Sequence, residues 1–195
     1  MFIPLHYQVS EYDCVPTAFI NAVNYLFERH EIPPMVIRHI YLYSLDTVGR
    51  NARFGIGGTS KYAVRLLGNW LSSYKMKKFS VTTDFLEGDD VHLRKESRIY
   101  ACLEEGGIAL CNTLLRKGEQ HYLMIIRIED DWVYCFDSYR RVSLRRMKNH
   151  AAILPYEEGR SPNLKIRAQW MDQESSSRFC LGPVSIRECL LIWRK

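Results

Sequence analysis

The chain has 195 residues, of which 47% are hydrophobic and 25% are charged. This composition predicts one soluble globular domain over residues 1–195 and excludes the disordered, collagenous and coiled-coil classes. The formal net charge is only +5, and the two basic clusters, at 75–78 and 140–148, carry no nucleic-acid motif. We therefore expect no nucleic-acid partner.

The beginning of the sequence lacks the basic lead and the apolar run of a signal peptide. No later segment reaches the roughly 18 uninterrupted apolar residues that a membrane helix needs. A cytoplasmic location without a membrane span is the expectation.

The cysteines and histidines show no metal-binding pattern. No Cys-x-x-Cys pair is present, which favours reduced thiols over disulfides or a zinc site. The six cysteines are Cys14, Cys102, Cys111, Cys135, Cys180 and Cys189. The histidines without partners at metal-ligand spacing are His6, His30, His39, His92 and His150. We expect neither a metal nor a cofactor.

The first predicted helix covers residues 16–29. Pro16 suits its first turn, where a missing N–H leaves no hydrogen bond unmade, and Asp13 or Cys14 lies near the N-cap. Apolar residues at helical spacing form one buried face. They are Phe19, Ile20, Val23, Leu26 and Phe27.

Three further helices are expected before residue 105. The second covers 36–45, the third begins after Thr59 or Ser60 as its cap, and a short fourth includes 99–103. The expected buried face of the third comprises Ala63, Leu66, Leu67, Trp70 and Leu71. The preceding segment, 55–60, matches neither a P-loop nor a dinucleotide fingerprint. We interpret it as a flexible turn, or alternatively as a loop whose backbone amides line a substrate cleft.

From residue 106 the chain changes to short runs rich in β-branched and aromatic residues. The expected strands cover residues 108–110, 122–128, 132–136, 151–154 and 189–193. The turn at 129–131 predicts a hairpin, and 157–177 is expected to be a long polar excursion. Helices followed by strands predict an α+β fold, with a helical part of about 1–105 packed on an antiparallel sheet of about 106–195.

Cys14 has the position of a nucleophile. A cysteine attacks as the thiolate, and a helix N-terminus favours that anion through its unpaired N–H groups. His121 begins one predicted strand and Asp137 ends the next. Antiparallel pairing of these strands brings the two side chains together, so that a base and the group that orients it become neighbours.

Three segments carry a resemblance to a known family. They are Gln8-Val9-Ser10-Glu11-Tyr12-Asp13-Cys14-Val15-Pro16-Thr17, Gly118-Glu119-Gln120-His121-Tyr122 and Tyr134-Cys135-Phe136-Asp137-Ser138-Tyr139. Together they resemble the peptidase C39 family of papain-like cysteine peptidases. The separations match that family: six residues from Gln8 to Cys14 and sixteen from His121 to Asp137. The similarity extends over about residues 5–140.

The resemblance implies a papain-like fold and a set of roles. Cys14 is expected to be the nucleophile, His121 the general base and acid, Asp137 the residue that orients it, and Gln8 a side-chain donor in the oxyanion hole. An amide N–H₂ placed shortly before the nucleophile is chemically suited to that last role.

Two residues depart from the family pattern. Val15 stands where the family has glycine, and Ser138 stands where it has proline. A valine narrows the space beside Cys14 if its side chain faces the cleft. Neither departure removes a catalytic group, so they bear on substrate shape more than on chemistry.

Three functions are compatible with these residues. The first is hydrolysis of an amide bond, with a peptide or protein as substrate. The second is acyl transfer to an amine or thiol on the same fold. The third, which Val15 keeps open, is a catalytically silent member that binds peptides or a partner protein. The oligomeric state is not determined by the sequence.

Overall fold

The computed structural model describes residues 3–49, 52–116, 119–144, 147–155 and 159–195. Gly118 of the second motif, residues 145–146 of the basic cluster and residues 157–158 of the expected excursion lie outside them. The helices are α1 (Cys14–Leu26), α2 (Pro34–Tyr43), α3 (Lys61–Ser73), α4 (Arg98–Glu104) and α5 (Ala168–Met171). The strands are β1 (Val81–Glu87), β2 (Ile108–Arg116), β3 (Glu119–Glu129), β4 (Trp132–Phe136), β5 (Ala151–Ile153), β6 (Leu164–Arg167) and β7 (Glu188–Arg194).

One antiparallel sheet of seven strands organises the described part of the chain, in the order β1-β7-β2-β3-β4-β6-β5. The predicted α+β class is confirmed. The expected hairpin is also confirmed: β3 and β4 are joined by Asp130 and Asp131, both at positive φ (47° and 63°). Two successive residues at positive φ match the right-handed twist of the flanking strands.

Two strands lie where the sequence analysis placed none. β1 lies within the predicted helical part of about 1–105, so that prediction was wrong for this segment. β1 pairs with β7 alone at the sheet edge, and only two of its residues are buried. Its sequence therefore has no apolar run that would predict a strand. The segment 157–177, predicted as a long polar excursion, contains a strand and a short helix that were not predicted, β6 and α5. β6 has only four residues, and although apolar and basic residues alternate along it, so short a run is weak evidence for a strand.

Each of the four predicted helices is present, with small changes in its bounds. α1 begins at Cys14, ahead of the predicted start, and Ser60 is the cap of α3, accepting a hydrogen bond from the Ala63 N–H at 3.2 Å. The predicted buried face of α3 was wrong at Leu66, which is 52% exposed, whereas Val64 is fully buried.

The sheet separates two apolar clusters. The first contains the buried faces of α1, α2 and α3, and the second contains those of α4 and α5. Helices therefore cover both faces of the sheet. Within the described residues, no helix combines the length and the apolar character needed to cross a membrane. Packing of α1 against β3 brings the start of that helix to the strand that carries His121.

Candidate active site

Cys14 is the first residue of α1, and Asp13 occupies the N-cap position. The Asp13 carboxylate makes no hydrogen bond to the first helical turn. Instead it accepts the N–H groups of Val9 at 3.1 Å and Ser10 at 2.9 Å, and the Ser10 hydroxyl at 2.9 Å. Asp13 thus shapes the loop before the helix and leaves the N–H groups of the first turn without a side-chain cap. Such N–H groups stabilise a thiolate or an oxyanion.

Cys14 differs from the other five cysteines in exposure, since it is partly exposed and they are buried. Burial raises the pKa of Cys102 to about 12 and that of Cys180 to about 11. Burial also raises the pKa of Cys135 and of Cys189 well above the usual thiol value. These four thiols are poor nucleophiles near neutral pH, because only a thiolate reacts readily.

His121 and Asp137 lie next to each other, as the strand pairing predicts. The His121 Nε2 atom is 2.7 Å from the Asp137 Oδ1 atom, and both side chains are buried. The antiparallel β3–β4 register pairs Met124 with Phe136, which places the residue after β4 beside the first part of β3. With Nε2 facing the carboxylate, Nδ1 is the nitrogen left for Cys14.

The environment of His121 favours the imidazolium. Burial alone acts to lower its pKa, but hydrogen bonds to Asp137 and to the Cys14 thiol raise the pKa to about 9. Burial acts to raise the pKa of Asp137, and the hydrogen bond from His121 together with the charges of His121 and Arg141 lowers it below its usual value. The structure therefore brings Cys14, His121 and Asp137 into one chain of contacts.

The Asp137 carboxylate is held by more than His121. Its Oδ1 atom accepts the Tyr139 N–H at 2.8 Å, and its Oδ2 atom accepts the Arg141 Nε–H at 2.6 Å. Asn163 donates its side-chain amide to the Asp137 carbonyl and accepts the Asp137 N–H, both at 2.8 Å. This set of contacts fixes the carboxylate, and through it the orientation of the imidazole.

Gln8 is attached to the residue that follows Asp137. Its backbone N–H donates to the Ser138 carbonyl at 2.9 Å, and its Oε1 atom accepts the Ser138 hydroxyl at 2.8 Å. Its Nε2 atom donates to the Ser10 carbonyl at 2.8 Å. An amide nitrogen carries two N–H groups, so one of them has no partner among the described residues.

Val15 lies in the core. Its side chain is 2% exposed and belongs to the cluster between α1 and the sheet. The valine after Cys14 therefore contributes to packing beneath α1 and does not line an open surface beside Cys14.

A second buried polar group is centred on Glu188. The Glu188 Oε1 atom accepts the Tyr122 hydroxyl at 2.6 Å and the Asn112 amide at 2.9 Å. These residues come from β7, β3 and β2, so the contacts link three adjacent strands. Burial raises the pKa of Glu188, and burial together with the neighbouring Glu188 charge raises that of Tyr122 well above its usual value.

The segment 55–60 is attached to the end of α2. Ser60 donates its N–H and its hydroxyl to Asp46, and Thr59 accepts the Leu45 N–H. A pocket of about 320 Å³ lies beside this attachment. Its lining consists of Leu42, Tyr43, Ser44, Asp46, Phe54, Tyr62, Ala63 and Leu66.

Four residues that support the site were not predicted from the sequence: Asp13 as a loop-shaping group, Ser138, Arg141 and Asn163. Asp13 and Ser138 adjoin motif residues, and Arg141 lies four residues after Asp137, so each had a weak positional signal. Asn163 had none, because it lies 26 residues from Asp137. Among the described residues, no three His, Cys, Asp or Glu side chains are grouped to hold a metal ion.

Compared with protein-family models and with curated protein sequences, the chain matches none of them.

Proposed function

We propose that this protein is a cysteine peptidase or amide hydrolase of the papain-like, C39-like type. The observation that carries the proposal is the chain of contacts from Cys14 through His121 to Asp137, in which the histidine pKa is raised to about 9. A partly exposed thiol at a helix start, paired with an oriented imidazole, is the arrangement that activates a cysteine nucleophile.

The reaction begins from a Cys14 thiolate beside a His121 imidazolium, the pair formed when the thiol proton has passed to His121. The thiolate attacks the amide carbonyl of a peptide, and its electron pair forms the carbon–sulfur bond of a tetrahedral intermediate. The oxyanion accepts hydrogen bonds from the Gln8 side chain and the Cys14 backbone N–H. His121 then donates its proton to the leaving amine, and a thioester remains on Cys14.

Hydrolysis of the thioester completes the cycle. His121, now neutral, takes a proton from a water molecule, whose oxygen attacks the thioester carbonyl. Collapse of the second tetrahedral intermediate releases the carboxylic acid and restores the Cys14–His121 pair. Asp137 keeps one carboxylate oxygen on the imidazole throughout and stabilises its protonated form.

The test is turnover of a library of peptide amides, with products identified by mass, in the wild type and in Cys14→Ser and His121→Ala. We expect hydrolysis in the wild type and a loss of at least about 10³-fold in both variants. Cys180→Ser is the matched control, because it removes a buried thiol and leaves Cys14 intact. Products that form only when an amine is added would instead identify acyl transfer.

Alkylation separates catalysis from binding. Iodoacetamide near pH 7 is expected to modify Cys14 before the five buried cysteines, and His121→Ala is expected to slow this modification sharply. Slow modification of all six cysteines alike, together with no turnover, would contradict the proposal and favour a silent binding protein.

A further inference from the structure

We propose that Ser138 is a positioning residue that orients the Gln8 amide for oxyanion binding. This inference rests on the proposed function. Ser138 is 2% exposed and immediately follows Asp137, so it joins the base-orienting side of the site to the segment that precedes the nucleophile.

Two hydrogen bonds attach Gln8 to Ser138. The backbone bond, from the Gln8 N–H to the Ser138 carbonyl at 2.9 Å, fixes the position of the Gln8 main chain. The side-chain bond, from the Ser138 hydroxyl to the Gln8 Oε1 atom at 2.8 Å, fixes the far end of the side chain. A glutamine side chain held at both ends loses most of its rotamer freedom before a substrate binds.

The partners also determine which way the amide faces. The Ser10 carbonyl accepts only, so the Gln8 group 2.8 Å from it must be the N–H₂. The opposite end is then the carbonyl, which needs a donor, and the Ser138 hydroxyl is that donor. In this orientation the second N–H of Nε2 is the one left for an oxyanion.

A hydroxyl is required for this arrangement. Proline, the residue at this position in the family that the sequence resembles, keeps the backbone carbonyl but offers no donor to Gln8. The serine therefore provides a contact that proline cannot make. An oxyanion donor is most effective when it is oriented before the reaction, because reorienting it would otherwise add to the barrier.

The test is a double-mutant cycle of Ser138→Ala and Gln8→Ala, measured as kcat and KM on the best fluorogenic peptide amide found by library turnover. With Gln8 present, Ser138→Ala is expected to lower kcat about three- to tenfold with little change in KM. With Gln8→Ala already present, the same substitution is expected to change kcat by less than about twofold. An equal loss in both backgrounds would overturn the inference.

Two further variants serve as controls. Ser138→Thr retains the hydroxyl and is expected to restore most of the activity lost in Ser138→Ala; failure of this rescue counts against the hydroxyl. Ser44→Ala removes another buried serine hydroxyl, which donates to the Ile40 carbonyl at 2.6 Å in α2, and is expected to leave kcat unchanged.

A measurement without turnover keeps this inference separate from the proposed function. The ¹⁵N order parameter of the Gln8 side-chain amide is expected to be high in the wild type and to fall in Ser138→Ala but not in Ser44→Ala. An amide that remains equally ordered in Ser138→Ala would refute positioning by Ser138. If the wild type cleaves no amide, the proposed function fails, and this measurement alone decides whether Ser138 orders Gln8.

Discussion

The protonation of His121 depends on the charge of Asp137, and Asp137→Asn is the substitution that tests it. Burial by itself lowers the histidine pKa, so the value of about 9 results from the hydrogen bonds and charges of Asp137 and Cys14. With the Asp137 charge removed, only Cys14 still raises the pKa of His121 against the lowering effect of burial. The pKa of His121 is then expected to fall to about 6.5 or lower.

The effect is large at mildly alkaline pH. At pH 8, a pKa of about 9 leaves about 90% of His121 protonated, whereas a pKa of about 6.5 leaves about 3%. Because the folded-state pKa lies above the unfolded value, protonation of His121 stabilises the fold fully below pH 6.5. That contribution, about 3 kcal/mol, is lost as the pH rises through about 9.

The assay is an NMR titration of the His121 ring, assigned by comparison with His121→Gln. The wild-type resonance is expected to titrate near pH 9, and the Asp137→Asn resonance at or below about pH 6.5. The control is Asp172→Asn. It removes an aspartate whose ion-pair partner is Arg187, 2.8 Å away, and not His121. A titration near pH 9 in folded Asp137→Asn would refute the electrostatic account of the site.

Three further substitutions test the surrounding structure by urea unfolding. Val15→Gly is expected to lower the free energy of unfolding by about 2–4 kcal/mol, since it leaves a cavity and adds a helical glycine. Activity per folded molecule should not rise, and a marked rise would show that the valine obstructs the cleft. Glu188→Gln should raise stability at pH 7, because burial disfavours the Glu188 charge, and the gain should shrink as the pH falls and Glu188 protonates; a constant gain would contradict this. Arg187→Met should cost about 3–5 kcal/mol, since its guanidinium donates to Gly182, Val91 and Asp172; a loss below about 1 kcal/mol would contradict it.

The local features of the site could be predicted from the sequence. The apolar spacing after Cys14 predicts a helix that begins near it, and the structure starts α1 at that residue. The turn at Asp130 and Asp131 predicts the β3–β4 hairpin, and antiparallel pairing then places His121 beside Asp137. Such inferences succeed because helix starts and tight hairpins depend on neighbouring residues.

Edge and short strands could not be predicted in the same way. β1 joins the sheet only through β7, which lies about 100 residues later in the chain, and β6 has four residues. The pattern of each segment is weak by itself, because β1 has only two buried residues and the alternation of β6 spans only four residues. Their strand conformation is stabilised by a partner that the fold brings to them.

Cys14, His121 and Asp137 were thus candidates from type and spacing alone, whereas their supporting contacts depended on tertiary structure. Gln8 meets Ser138 across 130 residues, and Asn163 meets Asp137 across 26. Val15, which the sequence left as a possible obstruction, was assigned to the core only by the packing of α1 on the sheet. Residue type and local spacing determine which chemistry is available, but contacts between distant segments form only when the whole sheet assembles, so only the fold decides how that chemistry is oriented.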